Sequence, residues 1–170
     1  MKTFKTVSKR IKNVREKLTM KNYQPYVVIM FFLVISASYI LGFTPLIIGL
    51  AFLSISCIAY AYYAKDKKAA KNGEWRVPES TLHMLGLLCG WPGALLAQYQ
   101  FRHKTKKASF RLVFWIVVLI NVAAFSWLHT PDGRKQLKVI ALQAQKIAMQ
   151  HSNSEAVISS VLLLTEFRDR

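Results

Sequence analysis

Two uncharged stretches, residues 26–43 and 46–64, stand end to end with only Thr44-Pro45 between them. Each is close to the roughly 20 apolar residues that a helix needs to cross a bilayer core of about 30 Å. In hydrocarbon, every backbone N–H and C=O must be satisfied inside its own segment, so such runs are committed to helix. Gly42-Phe43-Thr44-Pro45 makes the turn between them. That turn carries no Lys or Arg, whereas both outer flanks are heavily basic. The pair is therefore expected to be a helical hairpin with both ends in the cytoplasm. A third uncharged run, 112–128, has Trp115 and Trp127 near its two ends, as interfacial aromatics often stand.

The composition sharpens this reading. The chain is 53% hydrophobic yet carries a formal charge of +16 over 170 residues, and one small soluble surface cannot hold both extremes. Basic blocks alternating with apolar runs resolve the conflict as an inner-membrane protein obeying the positive-inside rule. A soluble nucleic-acid binder is the other usual reading of so basic a chain. The apolar runs argue against it, as does the lack of aromatic residues interleaved with the basic ones. Cys57 and Cys89 both fall inside apolar runs and read as small buried residues, with no Cys-x-x-Cys to suggest redox or metal chemistry.

Residues 1–25 hold eight Lys or Arg and one acid, Glu16. Phe4, Val7, Ile11, Val14 and Leu18 recur in steps of three and four, which aligns them on one face of a helix. Such a basic segment either lies on an anionic leaflet or simply fixes orientation. Because it lacks a small-residue cleavage motif, the run that follows is expected to be a retained anchor. Residues 65–81, with five basic and three acidic residues, are expected to be a cytoplasmic loop, with Pro78-Glu79-Ser80-Thr81 opening the next helix. At the other end, residues 129–170 are expected to be a helical tail. In it Leu137, Ile140, Ala144, Ile147 and Ala148 share a face, and Ser152-Asn153-Ser154-Glu155 caps a second short helix.

The apolar stretch 82–101 is broken in its middle by Gly90-Trp91-Pro92-Gly93. It either crosses as a kinked helix or re-enters and returns to the side it came from. Half of it rises only about 12 Å, less than half of the hydrocarbon core. Crossing would translocate five basic residues packed into 102–111, whereas re-entry exports six spread along the tail. Dense short loops weigh more, which favours re-entry. The expected fold is thus an all-α integral membrane bundle. It has three firm spans, 26–43, 46–64 and 112–128, and a fourth broken segment.

Asp66, Lys67, Arg76, Glu79, His83, Arg102, His103, Lys104 and Lys107 are the chemistry-bearing residues beside these runs. Three roles are open to them. Asp66 and Glu79 can pair with nearby cations and lock the loops, since unpaired charge is expensive near lipid. Lys67, Arg76, Arg102, His103, Lys104 and Lys107 can bind an anion, such as an anionic lipid headgroup or a phosphate. Glu79, His83 and His103 can act as acid–base catalysts or metal ligands, but three scattered residues make no defining metal motif, and nothing calls for a cofactor. The favoured reading is a non-enzymatic inner-membrane protein with its N-terminus in the cytoplasm, whose basic face binds anionic lipid or a partner protein, itself or another. The alternative is a membrane enzyme or transporter for a phosphorylated or lipid substrate. Gly86, Gly90, Gly93, Ala94 and Ala97 form a small-residue face suited to close helix packing.

Asp66-Lys67 with Ala69, Trp75-Arg76-Val77-Pro78-Glu79 with Leu82, and Gly90-Trp91-Pro92-Gly93-Ala94 come in fixed order. With Arg102-His103-Lys104-Thr105, Lys107, Phe110 and Phe114-Trp115, the stretch 46–128 resembles the bacterial family known as domain of unknown function 1294. The resemblance implies a small integral membrane protein without an established activity. Many members carry a cold-shock domain ahead of the membrane part, which would imply RNA contact. Here the first 25 residues are too short for that barrel and lack its aromatic strands. The family often has glycine where this chain has Cys89, from which positive φ is not expected at that position.

Overall fold

A computed structural model describes residues 23–101, 107–151 and 154–168. The expected basic N-terminal helix and the cluster Arg102, His103 and Lys104 lie outside them. All regular structure among the described residues is helical: α1 (Gln24–Ile40), α2 (Leu46–Asn72), α3 (Glu79–Leu85), α4 (Trp91–Phe101), α5 (Ala108–Trp127), α6 (Pro131–His151) and α7 (Glu155–Thr165).

Pro25 sits in the first turn of α1, where no N–H is needed, and the helix stops before Gly42, whose φ of +70° turns the chain. Pro45 then opens α2. The 65–81 loop is corrected at its start, because α2 continues to Asn72 and ends only at Gly73, in the left-handed conformation. The alanines and lysines of 65–71 are good helix formers, and nothing interrupts them until that glycine. At 27 residues, α2 is about 40 Å long and forms the axis of the fold. α1, α3, α4 and α7 all pack on it.

Three stretches are long and apolar enough to cross a membrane: Leu46–Asn72, Glu79–Phe101 and Ala108–Trp127. α1, at 17 residues, is apolar but shorter. The second of the three is not one straight rod. Leu88 (φ −80°, ψ 38°) and Cys89 (φ 75°, ψ 2°) leave helical space within a π-type turn, Gly86–Gly90. The break thus falls earlier than the expected Gly90–Gly93 interruption. Trp91, Pro92 and Gly93 are instead the first turn of α4, where proline's missing N–H leaves no bond unmade. Cys89 is also a correction: it adopts positive φ, alone among the described non-glycine residues.

At this turn Phe31, Phe52, Trp91 and Phe125 gather edge to face. The ring centroids of Phe31 and Trp91 lie 4.6 Å apart, and those of Phe31 and Phe52 lie 5.0 Å apart. The cluster joins α1, α2, α4 and α5 around one buried centre. In the tail, Thr130 caps α6 by accepting a bond from Gly133 N at 3.1 Å. Gln145 of α6 donates to Thr165 of α7 at 2.9 Å. On the expected apolar face, Leu137, Ala144 and Ala148 are half-buried around buried Ala141, but Ile140 and Ile147 are exposed.

Candidate functional site

The site is built on the last turns of α2. Asp66 is completely buried there, and its Oδ1 accepts a hydrogen bond from Val77 N at 3.0 Å while Arg76 Nε stands 3.6 Å away. A buried carboxylate needs such partners, because desolvating an unpaired charge costs several kcal/mol or more. Asp66 thereby pins the 74–78 connection to the end of α2 and sets where α3 begins. At the first residue of α3, Glu79 receives the Lys107 ammonium at 2.8 Å. One turn further, His83 lies over Phe110, with centroids 4.3 Å apart and planes 33° apart. Lys107 and Phe110 open α5, so the start of α3 and the start of α5 are neighbours.

From that end α3 descends along α2 and α4 climbs back. Gly90 lies against Ile55 and Ala59, and Gly93 packs on the Ser56 backbone so tightly that a Cβ would stand 1.8 Å from its carbonyl oxygen. Gln98, further along α4, faces Tyr63, and Gln100 accepts from the Tyr60 hydroxyl. Residue numbers thus rise together in α2 and α4, which run parallel, while α3 runs the other way. Ser56 and Asp66 are separated by about 15 Å along the helix. The α3–α4 hairpin therefore reaches roughly half of the depth that α2 covers. Beside its tip is an apolar hollow of about 300 Å³, lined by Phe52, Leu87, Cys89, Asn121 and Phe125 among others.

Asn121 is the residue that sequence reasoning missed. It is buried on α5, and its Nδ2 lies 3.3 Å from the carbonyl oxygens of both Gly86 and Leu87 and 2.9 Å from that of Val117. Leu88 and Cys89 leave helical geometry in this turn, and the Asn121 amide supplies donors to its first carbonyls from the neighbouring helix. The available signal was a lone amide in an otherwise apolar run.

The structure brings Asp66, Arg76, Glu79, His83 and Lys107 together at one end of the bundle, with Lys67 beside Asp66 on α2. Gly90, Trp91, Pro92 and Gly93 lie at the other end of the hairpin. Arg76 and Lys107, both expected to bind an anion, stand beside carboxylates. Lys65, Lys67, Lys68 and Lys71 make no ion pair among the described residues. Trp75 is 94% exposed beside Arg76. Among the described residues no three His, Cys, Asp or Glu side chains are grouped to hold a metal. Chemically, this end offers ion pairs, unneutralised ammonium groups and an exposed indole.

Fold and site together define a small all-α protein with helices of membrane-crossing length and an internally reversed hairpin. Residues 56–110 match a family described as "Protein of unknown function (DUF1294)". The chain is also 32% identical over 66 residues to the "Uncharacterized protein YsdA" of Bacillus subtilis (strain 168), covering 39% of this chain and 74% of that protein. The chain belongs to the DUF1294 family. The matched stretch holds both partners of the Ser56–Gly93, Asp66–Val77, Glu79–Lys107 and His83–Phe110 contacts. No solved structure matches the chain.

Proposed function

We propose that this is a multi-pass bacterial inner-membrane protein, not an enzyme, whose basic cytoplasmic face binds anionic lipid headgroups. In this reading α1, α2 and α5 cross the membrane, the N-terminus is cytoplasmic, and the α3–α4 hairpin enters and leaves from the cytoplasmic side. The reading is supported by the outward faces of these helices. Ile29, Met30, Leu33, Leu112 and Leu119 are all more than half exposed, an apolar surface that water would penalise and acyl chains would not.

The observation that carries the lipid reading is the group at the Asp66 end. Lys65, Lys67, Lys68 and Lys71 stay unneutralised beside an indole that projects from a pinned loop. A tryptophan sits well at headgroup depth, and each juxtamembrane basic residue adds about 1 kcal/mol of attraction to an anionic leaflet. Glu79, His83 and Asp66 are engaged with Lys107, Phe110 and Val77, which suits positioning better than catalysis.

Two measurements test this. Cys57 and Cys89 are replaced by serine, and single cysteines are placed at Leu41, Asn72 and Ser154 for labelling in intact cells. Outside labelling at 41 and 154, with 72 protected, is expected. Labelling at 72, or protection at 154, overturns the topology. Native mass spectrometry of the full chain then counts retained phosphatidylglycerol. Replacing Lys65, Lys67, Lys68 and Lys71 by glutamine should remove most of it. Unchanged retention refutes lipid binding and leaves a protein partner as the occupant of that face.

A further inference from the structure

At the end of the bundle away from the Asp66 group, the α1–α2 turn and the C-terminal tail enclose a pocket of about 230 Å³. It lies outside the family match, which ends at residue 110. Three of its walls are cationic: Arg134 and Lys138 from α6, and Arg168 beyond α7. The tail is fitted closely against the turn. The Arg168 carbonyl approaches Gly42 so tightly that a Cβ there would stand 2.4 Å from its oxygen, and Gly42 has a φ of +70°. The Gln145–Thr165 hydrogen bond holds α7 along α6 and so delivers Phe167 and Arg168 to the pocket.

Two of the three cations lie over rings rather than beside carboxylates. The Arg134 guanidinium lies 5.2 Å from the centre of the Phe43 ring, and the Lys138 ammonium 5.6 Å from that of Phe167. Among the described residues neither they nor Arg168 make an ion pair, and the buried Arg134 Nε has no hydrogen-bond partner. A ring face positions a cation without neutralising it and leaves its N–H groups free to donate. Three like charges gathered around one pocket repel one another, and an anion reverses that balance. A guanidinium fork beside ammonium groups suits a phosphate, which offers several acceptor oxygens at once.

We propose that the pocket formed by Arg134, Lys138 and Arg168 binds a phosphate group, presented either by a phospholipid headgroup or as free phosphate. The site is independent of the basic face described above, and its residues are not those that would anchor the Asp66 end.

The test uses the full chain in a neutral, phosphate-free detergent and follows phenylglyoxal modification of Arg134 by peptide mass spectrometry. Inorganic phosphate, chloride at matched ionic strength, and reconstitution into phosphatidylglycerol nanodiscs are the three conditions. Slowing of about tenfold by inorganic phosphate, beyond any effect of chloride, supports the site and identifies free phosphate as a sufficient ligand. Slowing in phosphatidylglycerol alone supports it with a lipid headgroup as the source. In a Lys138→Gln/Arg168→Gln variant, Arg134 remains as the reporter and the protection should weaken about tenfold. Arg134 reacting equally fast in all conditions, or protection matched by chloride, overturns the proposal without reference to any variant.

Discussion

Gly93→Ala should be the most damaging glycine-to-alanine change in this protein. An ideal Cβ at Gly93 falls 1.8 Å from Ser56 O, 2.5 Å from its carbonyl carbon and 2.8 Å from its Cα. Ordinary contact needs at least about 3.4 Å, so α2 and α4 must part by roughly 1.5 Å at their crossing. A gap of only 0.5–1 Å already forfeits about a quarter to a half of each dispersion contact. Those at risk include Ala59, Ala94 and Ala97, all fully buried. Overpacking alone costs about 1–3 kcal/mol, and loss of the surrounding contacts raises the expected destabilisation to about 3 kcal/mol or more. The assay is unfolding of the full chain in mixed micelles, titrated with a denaturing detergent. Gly86→Ala is the internal control, because its Cβ would meet only Val117 Cγ1, at 3.2 Å, a side-chain atom that can shift. Since the obstructing atoms are backbone, Ser56→Gly should not rescue Gly93→Ala. Equal stability of the Gly93 and Gly86 variants, or rescue by Ser56→Gly, would refute the crossing geometry.

Three further outcomes follow from the same geometry. Asn121→Leu leaves the Gly86 and Leu87 carbonyls without their amide donor, so it should destabilise by about 1–3 kcal/mol despite raising apolarity; a gain in stability in the same titration would show that those carbonyls do not depend on it. Cys89→Gly removes a left-handed penalty of about 1–2 kcal/mol, partly offset by glycine's freedom in the unfolded chain. It should therefore match or exceed the parent in stability, whereas Cys89→Val should fall below it; the reverse order would count against positive φ at that position. Asp66→Ala releases Val77 N and Arg76, and at about 1–3 kcal/mol of lost restraint trypsin should cut at Lys71 or Arg76 about tenfold faster, with unchanged cleavage arguing against the pin.

Much of the fold is legible residue by residue. Hydropathy alone marks the runs that became α1, α2 and α5, and Gly42 with Pro45 marks the turn between the first two, because these signals act over a few neighbours. Extending α2 to Asn72 instead of stopping it where charge begins required weighing helix propensity against polarity. Charged residues do not end a helix; the left-handed Gly73 does. The hairpin break lies ahead of the proline for a related reason. Pro92 draws attention as a helix breaker, yet in a first turn it breaks nothing, and the chain leaves helical geometry at Leu88 and Cys89.

Of the candidate site, the sequence by itself determined the inventory: acids, histidines and lysines crowding the ends of apolar runs, and small residues in 86–97. Their assignments were decided only in the tertiary structure. That Glu79 meets Lys107, that His83 lies over Phe110, and that Gly93 rather than Gly86 is sterically indispensable depend on contacts between residues far apart in the chain. So does the role of Asn121, which answers carbonyls about 35 positions away. Local sequence dictates which segments must be helical, because each has to satisfy its own backbone in place. It cannot say which carbonyls or buried charges will meet a distant partner, since those contacts arise only when the helices are packed together.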